Sequence, residues 1–279
     1  MPIRVAPSTI SVLRLLTSLA LAACGGVLGP AADGVDPDDA LPVAGGVVAR
    51  AGEAMTYRVE LHGIDVAEFM VTVGAETTLD GAPALPVSAR VVSSPLLTMF
   101  HPVDDTLSTW IDPVTGRALA FEAVELASSR STEVEHTRVR YAPGRFAVAV
   151  ERAGRHLDEE QVVRHDTFDV PSMLMLLRGW HGAPGDRMVV DVMRSRTAWR
   201  LGVEIGGADT VETVLGAMAA VRFEGASVRM RRDGADDPAS ERRAFTLWIS
   251  DDVDRVPLRL RAHTDYGDVE MALVEYRVE

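Results

Sequence analysis

The stretch Met55-Thr56-Tyr57-Arg58-Val59-Glu60-Leu61-His62-Gly63-Ile64-Asp65-Val66-Ala67-Glu68-Phe69-Met70-Val71-Thr72-Val73 sets the fold class. Met55, Tyr57, Val59 and Leu61 alternate with Thr56, Arg58 and Glu60, the period of two that places apolar side chains on one face of a strand. His62-Gly63-Ile64-Asp65 supplies a turn, and Phe69, Val71 and Val73 then alternate with Glu68, Met70 and Thr72. Two alternating runs around a turn read as a β-hairpin with one buried face.

Working outward toward the C-terminus, the same signature recurs. Strands are expected at Leu85 to Val92, Thr106 to Ile111, Leu119 to Leu126, Glu133 to Tyr141 and Phe146 to Arg152. They are separated by turn signals such as Asp80-Gly81, Asp112-Pro113-Val114-Thr115-Gly116 and Pro143-Gly144. After Pro184-Gly185-Asp186 the alternation resumes at Met188 to Val192, Ala198 to Ile205, Glu212 to Leu215 and Ala219 to Met230. It continues from Phe245 to Ser250 and from Val256 to His263. The last strand, after Tyr266-Gly267, is apolar on both faces, with Val269, Met271 and Leu273 on one and Ala272, Val274 and Tyr276 on the other; it needs cover on both sides. Repeated short strands argue for a mainly β fold: an antiparallel, strongly curved sheet or half-open barrel or sandwich, over residues 51–279.

One segment breaks the pattern. Asp169-Val170-Pro171-Ser172 opens a run containing Met173, Leu174, Met175, Leu176 and Leu177, closed by Gly179 and Trp180. Asp169 is placed to cap a helix, Pro171 suits its first turn, and Gly179 is placed to end it. A helix of about residues 169–180 that is apolar nearly all round must be buried. It serves either as a core element or as a plug or lid for a ligand cavity, in which case Met173, Leu174, Leu177 and Trp180 are the candidate ligand-binding residues. Methionine suits both roles, because its flexible thioether fills gaps and adapts to guests.

Toward the N-terminus, Arg4 and Arg14 precede an apolar run from Leu15 to Ala23 that ends at Cys24-Gly25. The run is short of the ~20 apolar residues a transmembrane helix needs, and its layout is that of a cleaved export signal. Leu21-Ala22-Ala23-Cys24 resembles the lipobox of bacterial lipoproteins, which implies a signal peptide over 1–23 and an acylated Cys24 as the point of membrane attachment. The alternative is an ordinary signal whose cut falls near a cysteine. Cys24 is the chain's one cysteine, and acylation would remove a thiol that is a liability in an oxidising compartment. Two or more acyl chains anchor a protein stably where one does not. Gly25 after the cysteine suggests, by resemblance to lipoprotein sorting, the periplasmic face of the outer membrane. Residues 24–50, with Gly-Pro-Ala-Ala-Asp-Gly and Asp-Pro-Asp-Asp, read as an acidic tether.

Charge excludes some partners. The chain carries 28 basic and 41 acidic residues. Cleavage after Ala23 would remove Arg4 and Arg14 and leave a net charge of −15. Such a surface repels nucleic acid and anionic headgroups. Every basic residue apart from histidine is arginine and asparagine is absent, a compositional habit more than a binding device. The local cluster Arg229, Arg231, Arg232, Arg242 and Arg243 is diluted by neighbouring acids and reads as a solvated hairpin.

Catalytic and metal signatures are lacking. Asp104-Asp105 and Asp251-Asp252 invite an acid/base reading, because glycosidases place two carboxylates ~5–9.5 Å apart across a cleft. Adjacent strand residues point to opposite faces, so neither pair is itself such a dyad, and turn-forming or edge-solubilising roles are expected. The seven histidines, His62, His101, His136, His156, His165, His181 and His263, show no metal-ligand spacing. No nucleophile elbow, phosphate loop or dinucleotide fingerprint is present. No catalytic residue, metal or cofactor is therefore assigned; missing motifs lower the case for catalysis without excluding it.

Leu247-Trp248-Ile249-Ser250-Asp251-Asp252 followed by Arg255-Val256-Pro257-Leu258 resembles a family of bacterial envelope proteins known as domain of unknown function 3108. Gly52-Glu53 leading into Tyr57, Gly63-Ile64, Val103-Asp104-Asp105, Trp110-Ile111-Asp112-Pro113, Pro171-Ser172 and Tyr266-Gly267-Asp268 agree with it. The resemblance spans Gly52 to Arg277, with Ala67 where the family tends to carry glycine. It implies an exported β-rich domain without an assigned activity, similar in shape to the curved half-barrel of outer-membrane lipoprotein carriers, an analogy of fold alone. The function expected is a non-catalytic envelope lipoprotein that binds an apolar or amphipathic ligand or a partner protein. An envelope glycan hydrolase using carboxylates from separate strands, and a structural assembly factor, are the alternatives.

Overall fold

A computed structural model describes residues 46–99, 102–126, 133–194, 197–264 and 267–279. The lipobox, most of the tether, His101 and Tyr266 lie outside the described residues. The first half of the chain forms β1 (Glu53–Leu61), β2 (Ile64–Val73), β3 (Thr77–Leu79), β4 (Ala82–Ser93), the short helix α1 (Pro95–Thr98), β5 (Asp104–Ile111) and β6 (Ala118–Leu126). It continues through β7 (Val134–Ala142), β8 (Arg145–Arg152) and β9 (Arg155–Val162). The second half forms β10 (Thr167–Asp169), helix α2 (Val170–Gly179), β11 (Arg187–Arg194), β12 (Thr197–Thr213), β13 (Gly216–Arg229), β14 (Arg243–Ser250), β15 (Pro257–Thr264) and β16 (Gly267–Val278).

All but β3 lie along one path, in the order β10-β11-β12-β13-β14-β15-β16-β1-β2-β4-β5-β6-β7-β8-β9. Every neighbouring pair on it is antiparallel except β10 with β11. The architecture is mainly β, a large curved and unclosed sheet. Its two halves are joined where β16 pairs with β1, Val59 opposite Met271. Met55, Tyr57 and Val59 are buried and Arg58 is exposed, as their alternation requires. The pairing slips between Val59 and Glu60, which leaves Val66 as an extra residue on β2. Such a bulge bends a strand without needing glycine, and Ala67 beside it is buried.

The two edge strands, β9 and β10, are consecutive in sequence, so the residues between Val162 and Thr167 must join opposite edges of the sheet. Side chains clasp this seam where no ladder does. Asp191 Oδ2 accepts from the backbone N–H of Arg164 (3.1 Å) and His165 (3.2 Å). Asp191 Oδ1 accepts from Arg200 Nε (3.1 Å), and Gln161 Nε2 donates to the carbonyl of Arg231 (2.6 Å).

Strand β9, Arg-His-Leu-Asp-Glu-Glu-Gln-Val, is absent from the expected elements because its burial is too slight to impose alternation: six of its eight residues are exposed. The expected strands at 198–205 and 212–215 are one strand, β12, whose bulge at Ile205/Gly207 carries the ladder through. The far part of the β12–β13 hairpin lies over β15 and β16. Arg259 Nη2 donates to the carbonyl of Glu212 (2.8 Å), and Trp248 Nε1 donates to Asp209 Oδ2 (2.9 Å). This hairpin supplies cover for the second apolar face of β16, where Ala272 and Val274 are half-buried.

Candidate functional site: an apolar cleft beside a pinned helix

Helix α2 lies within the curved sheet, and nine of its ten residues are buried. Each large apolar side chain so placed contributes about 1.5–3 kcal/mol of transfer free energy before entropy is counted. The expected N-cap is present: Asp169 Oδ1 accepts from the backbone N–H of Ser172 (2.9 Å), and Ser172 Oγ accepts from the backbone N–H of Asp169 (2.9 Å). The reciprocal pair satisfies donors that a helix start leaves open. Asp169 also reaches the sheet, where its Oδ2 accepts from Thr109 Oγ1 (2.7 Å) and Tyr141 OH (3.1 Å). Burial raises the Asp169 pKa, and these hydrogen bonds oppose the rise.

The other end is held by charge. Arg178 makes a two-pronged pair with Glu53 on β1, Nη1 to Oε2 at 2.8 Å and Nη2 to Oε1 at 2.6 Å, with both side chains essentially inaccessible to solvent. Its remaining donors reach the carbonyls of Arg255 (3.0 Å) and Asp254 (2.8 Å). Arg255 reciprocates, donating to the carbonyls of Arg178 and Trp180 (both 3.2 Å). A cation at a helix C-terminus is favourably placed, and burial lowers the Arg255 pKa. Tyr276, near Glu53, has its pKa pushed up to about 12, first by burial and then by the carboxylate. The helix ends at Gly179 as expected, but the glycine serves there by its lack of a side chain. It does not end the helix in a left-handed turn; the carbonyl of Gly46 lies where its Cβ would be, so any side chain would collide.

Pinned in this way, α2 leans on β4, β5, β10 and β11 and leaves space on its other side. Val170, Met173, Leu174 and Leu177 form one wall of a cleft. Tyr57, Phe69, Phe245, Leu247, Leu260 and Met271, from β1, β2, β14, β15 and β16, form the other. Their spacing on the helix, three and four apart, puts them on one face. The cleft volume is about 50 Å³. Arg259 is the sole charged residue on its lining, and burial raises the Tyr57 phenol. Of the four residues expected to meet a ligand, Met173, Leu174 and Leu177 line this cleft. Trp180 does not: it follows the helix in an extended conformation and is buried against Phe223, ring centroids 5.7 Å apart. The aromatic cleft residues Tyr57, Phe69 and Phe245 lie more than 65 positions from the helix in sequence, and their alternation marked them only as inward-facing.

A larger recess of about 540 Å³ lies beneath the β8–β9 turn, between Val150, Arg152, Arg155, Leu157 and Glu133. It does not touch α2, and its Arg152 is already paired with Glu133 (3.2 Å). For an apolar guest the cleft beside the helix is the better match.

Three of the four carboxylates keep the turn-forming or edge-solubilising roles expected of them, and Asp105 does not, because strand alternation turns it to the buried face. Asp104 points out and forms a two-pronged pair with Arg90, both contacts at 2.7 Å, which holds its pKa down. Asp251 and Asp252 are exposed in the turn before β15, where Asp252 Oδ1 accepts from the N–H groups of Asp254 and Arg255 (both 3.0 Å). Asp105 points inward and is buried. Its Oδ1 accepts from the N–H of Leu126 (3.1 Å), and its Oδ2 has no partner among the described residues. Burial, with smaller repulsion from Glu125 and Asp104, raises its pKa to about 7. None of the four faces another across a cleft. The arginine cluster is neutralised, Arg229 by Asp237, Arg231 by Asp233 and Arg232 by Glu159. Among the described residues no group of three or more potential ligands is arranged to hold a metal ion.

The family model described as a protein of unknown function, DUF3108, matches residues 55–274. The chain belongs to the DUF3108 family. Among curated proteins, none matches it. Comparison of this DUF3108 domain with solved structures finds likenesses at low identity. A β-barrel-like protein of the domain of unknown function DUF1849 from Brucella abortus is 11% identical, with a TM-score of 0.52 over 81% of this chain and 97% of that one. A Bacteroides fragilis protein with a YmcC-like fold is 8% identical, at a TM-score of 0.38 over 84% and 99%. The hypothetical lipoprotein YmcC from Escherichia coli is 10% identical, at 0.30 over 80% and 83%. The first of these supports a barrel-like fold; at such identity the likeness extends to fold alone.

Proposed function

We propose that the protein is a non-catalytic, lipid-anchored protein of the cell envelope, held through acylated Cys24 at the periplasmic face of the outer membrane, and that it binds the alkyl part of an amphipathic ligand in the cleft beside α2. The cleft carries this reading. It is concave and apolar, it sits next to a helix fixed at both ends, and one of its walls holds Met173, whose side chain adapts readily. Its volume narrows the guest. About 50 Å³ is a third of the ~150 Å³ cavity that takes a benzene ring. A slender alkyl end fits with side-chain adjustment, whereas a ring system does not.

Native mass spectrometry of protein extracted in mild detergent, with added dodecanoate, tests this. The expected result is a one-to-one adduct on the native chain that Leu174→Trp abolishes while the variant still unfolds cooperatively. An adduct that survives Leu174→Trp would place the guest elsewhere, and no adduct on the native chain would remove the ligand reading.

A further inference from the structure

The point where the chain enters the folded domain is fixed. Gly46 lies against Gly179 at the end of α2, Val47 packs beside Gly116 in the β5–β6 turn, and Arg50 is paired with Asp254 in the β14–β15 turn (2.5 Å). Residues 46–50, assigned to the tether by composition, therefore run across one pole of the domain between these two turns, with Val47 and Ala49 packed against the core. The 45 residues that precede Gly46 in the sequence, Cys24 among them, lead to this pole.

Both flanking turns present a valine to solvent. Val114 is 79% exposed and Val253 78%. The neighbouring β12–β13 hairpin, whose strand β13 is tied to the second turn by a hydrogen bond from the N–H of Asp251 to the carbonyl of Ala219 (2.9 Å), adds Val214 at 59% and Leu215 at 57% at its tip. Single exposed aliphatic residues are ordinary on protein surfaces. These sit on turns that are held rigid by their own side chains. Asp112 Oδ1 accepts from the N–H groups of Val114 and Thr115 (both 2.8 Å). Asp252 braces the second turn, and Thr213 Oγ1 accepts from the N–H of Leu215 (3.0 Å). An aliphatic side chain on a braced turn loses little conformational freedom when it enters an apolar medium.

We infer that this pole is a membrane-contacting surface: Val114, Val214, Leu215 and Val253 dip into the boundary between headgroups and acyl chains of a bilayer, beside the root of the tether. The inference rests on the anchoring of the chain through Cys24. The exposed Asp251 and Asp252 at the same pole favour a zwitterionic bilayer over an anionic one. The α1 side of the domain, where Ile64, Leu96 and Met99 are exposed, then carries no root of the tether and stands away from the bilayer.

The test uses the full-length acylated protein in phosphatidylcholine vesicles, with a photoreactive benzophenone side chain placed in turn at positions 114, 215, 253, 64 and 99. Crosslinking to lipid at least fivefold greater at 114, 215 and 253 than at 64 and 99 is expected. Equal yields, or greater yields at 64 and 99, overturn the inference. Palmitate labelling of the same samples separates the two layers of the argument. Labelled protein without lipid crosslinks at the three turns removes the contact surface and leaves the anchor standing, whereas unlabelled protein removes both.

Discussion

The two sides of helix α2 meet the same sheet in different ways. On one side the helix is bolted to β1, β5 and β7 by buried polar groups, Arg178 to Glu53 and Asp169 to Thr109 and Tyr141. On the other it faces, Arg259 and the Tyr57 phenol apart, apolar side chains across a cleft of about 50 Å³. Polar bonds fix position because their geometry is specific and a lost partner leaves a buried group unsatisfied. Apolar contacts tolerate shape change more readily. The helix is therefore held as a fixed wall and not as a lid that swings away, and the proposed guest would have to be met by movement of Met173 and Leu174.

The bolted side should break first. Arg178→Ala leaves Glu53 charged and buried without its partner, and a loss of about 3–5 kcal/mol is expected in urea unfolding. Joint replacement, Arg178→Met with Glu53→Gln, should recover a large part of that loss, because the pair owes much of its apparent value to the cost of stranding one charge.

The cleft side should respond in proportion to burial. Leu177→Ala, at a fully buried position, is expected to cost about 2–5 kcal/mol. Leu174→Ala, at the half-buried edge of the cleft, should cost about 1 kcal/mol, since much of its surface already meets water. Equal losses in the two variants would mean that the cleft is closed in solution.

Asp105 is the imperfection on the bolted side, and pH exposes it. Its native pKa is about 7 against about 3.9 for an unfolded aspartate. Between these values the native state holds a proton that the unfolded chain has released, so stability falls as pH rises from about 4 to 7 and is level above. Asp105→Asn keeps the acceptor for Leu126 and removes the titration. Thermal melts should show the variant equal to the native chain at pH 4 and more stable at pH 8, where the native chain alone must hold an ionised carboxylate in a buried site. Identical pH profiles would mean that Oδ2 finds a partner in solution.

Local chemistry was legible in the residues, and remote partnership was not. The β1–β2 hairpin, the N-cap role of Asp169 and the opposite facing of Asp104 and Asp105 follow from spacing alone. Glu53 and Arg178 stand 125 positions apart, and nothing near either names the other. Trp180 follows the helix so closely that it reads as part of the same apolar face, yet one extended residue turns it toward Phe223. Strand β9 lacks the alternation that burial imposes, because as an edge strand it is wet on both faces.

By itself the sequence determined that this is a β protein with one buried helix, that its strands have an apolar face, and that Cys24 follows an export-like segment. These properties depend on intervals of two, three or four residues, which the covalent chain fixes directly. Only the tertiary structure decided which way the sheet curves and which edges it brings together. It also decided that the helix fills one side of the concavity and leaves the other open, because bulges, buried ion pairs and the β9–β10 seam join residues whose separation in sequence carries no information about their contact.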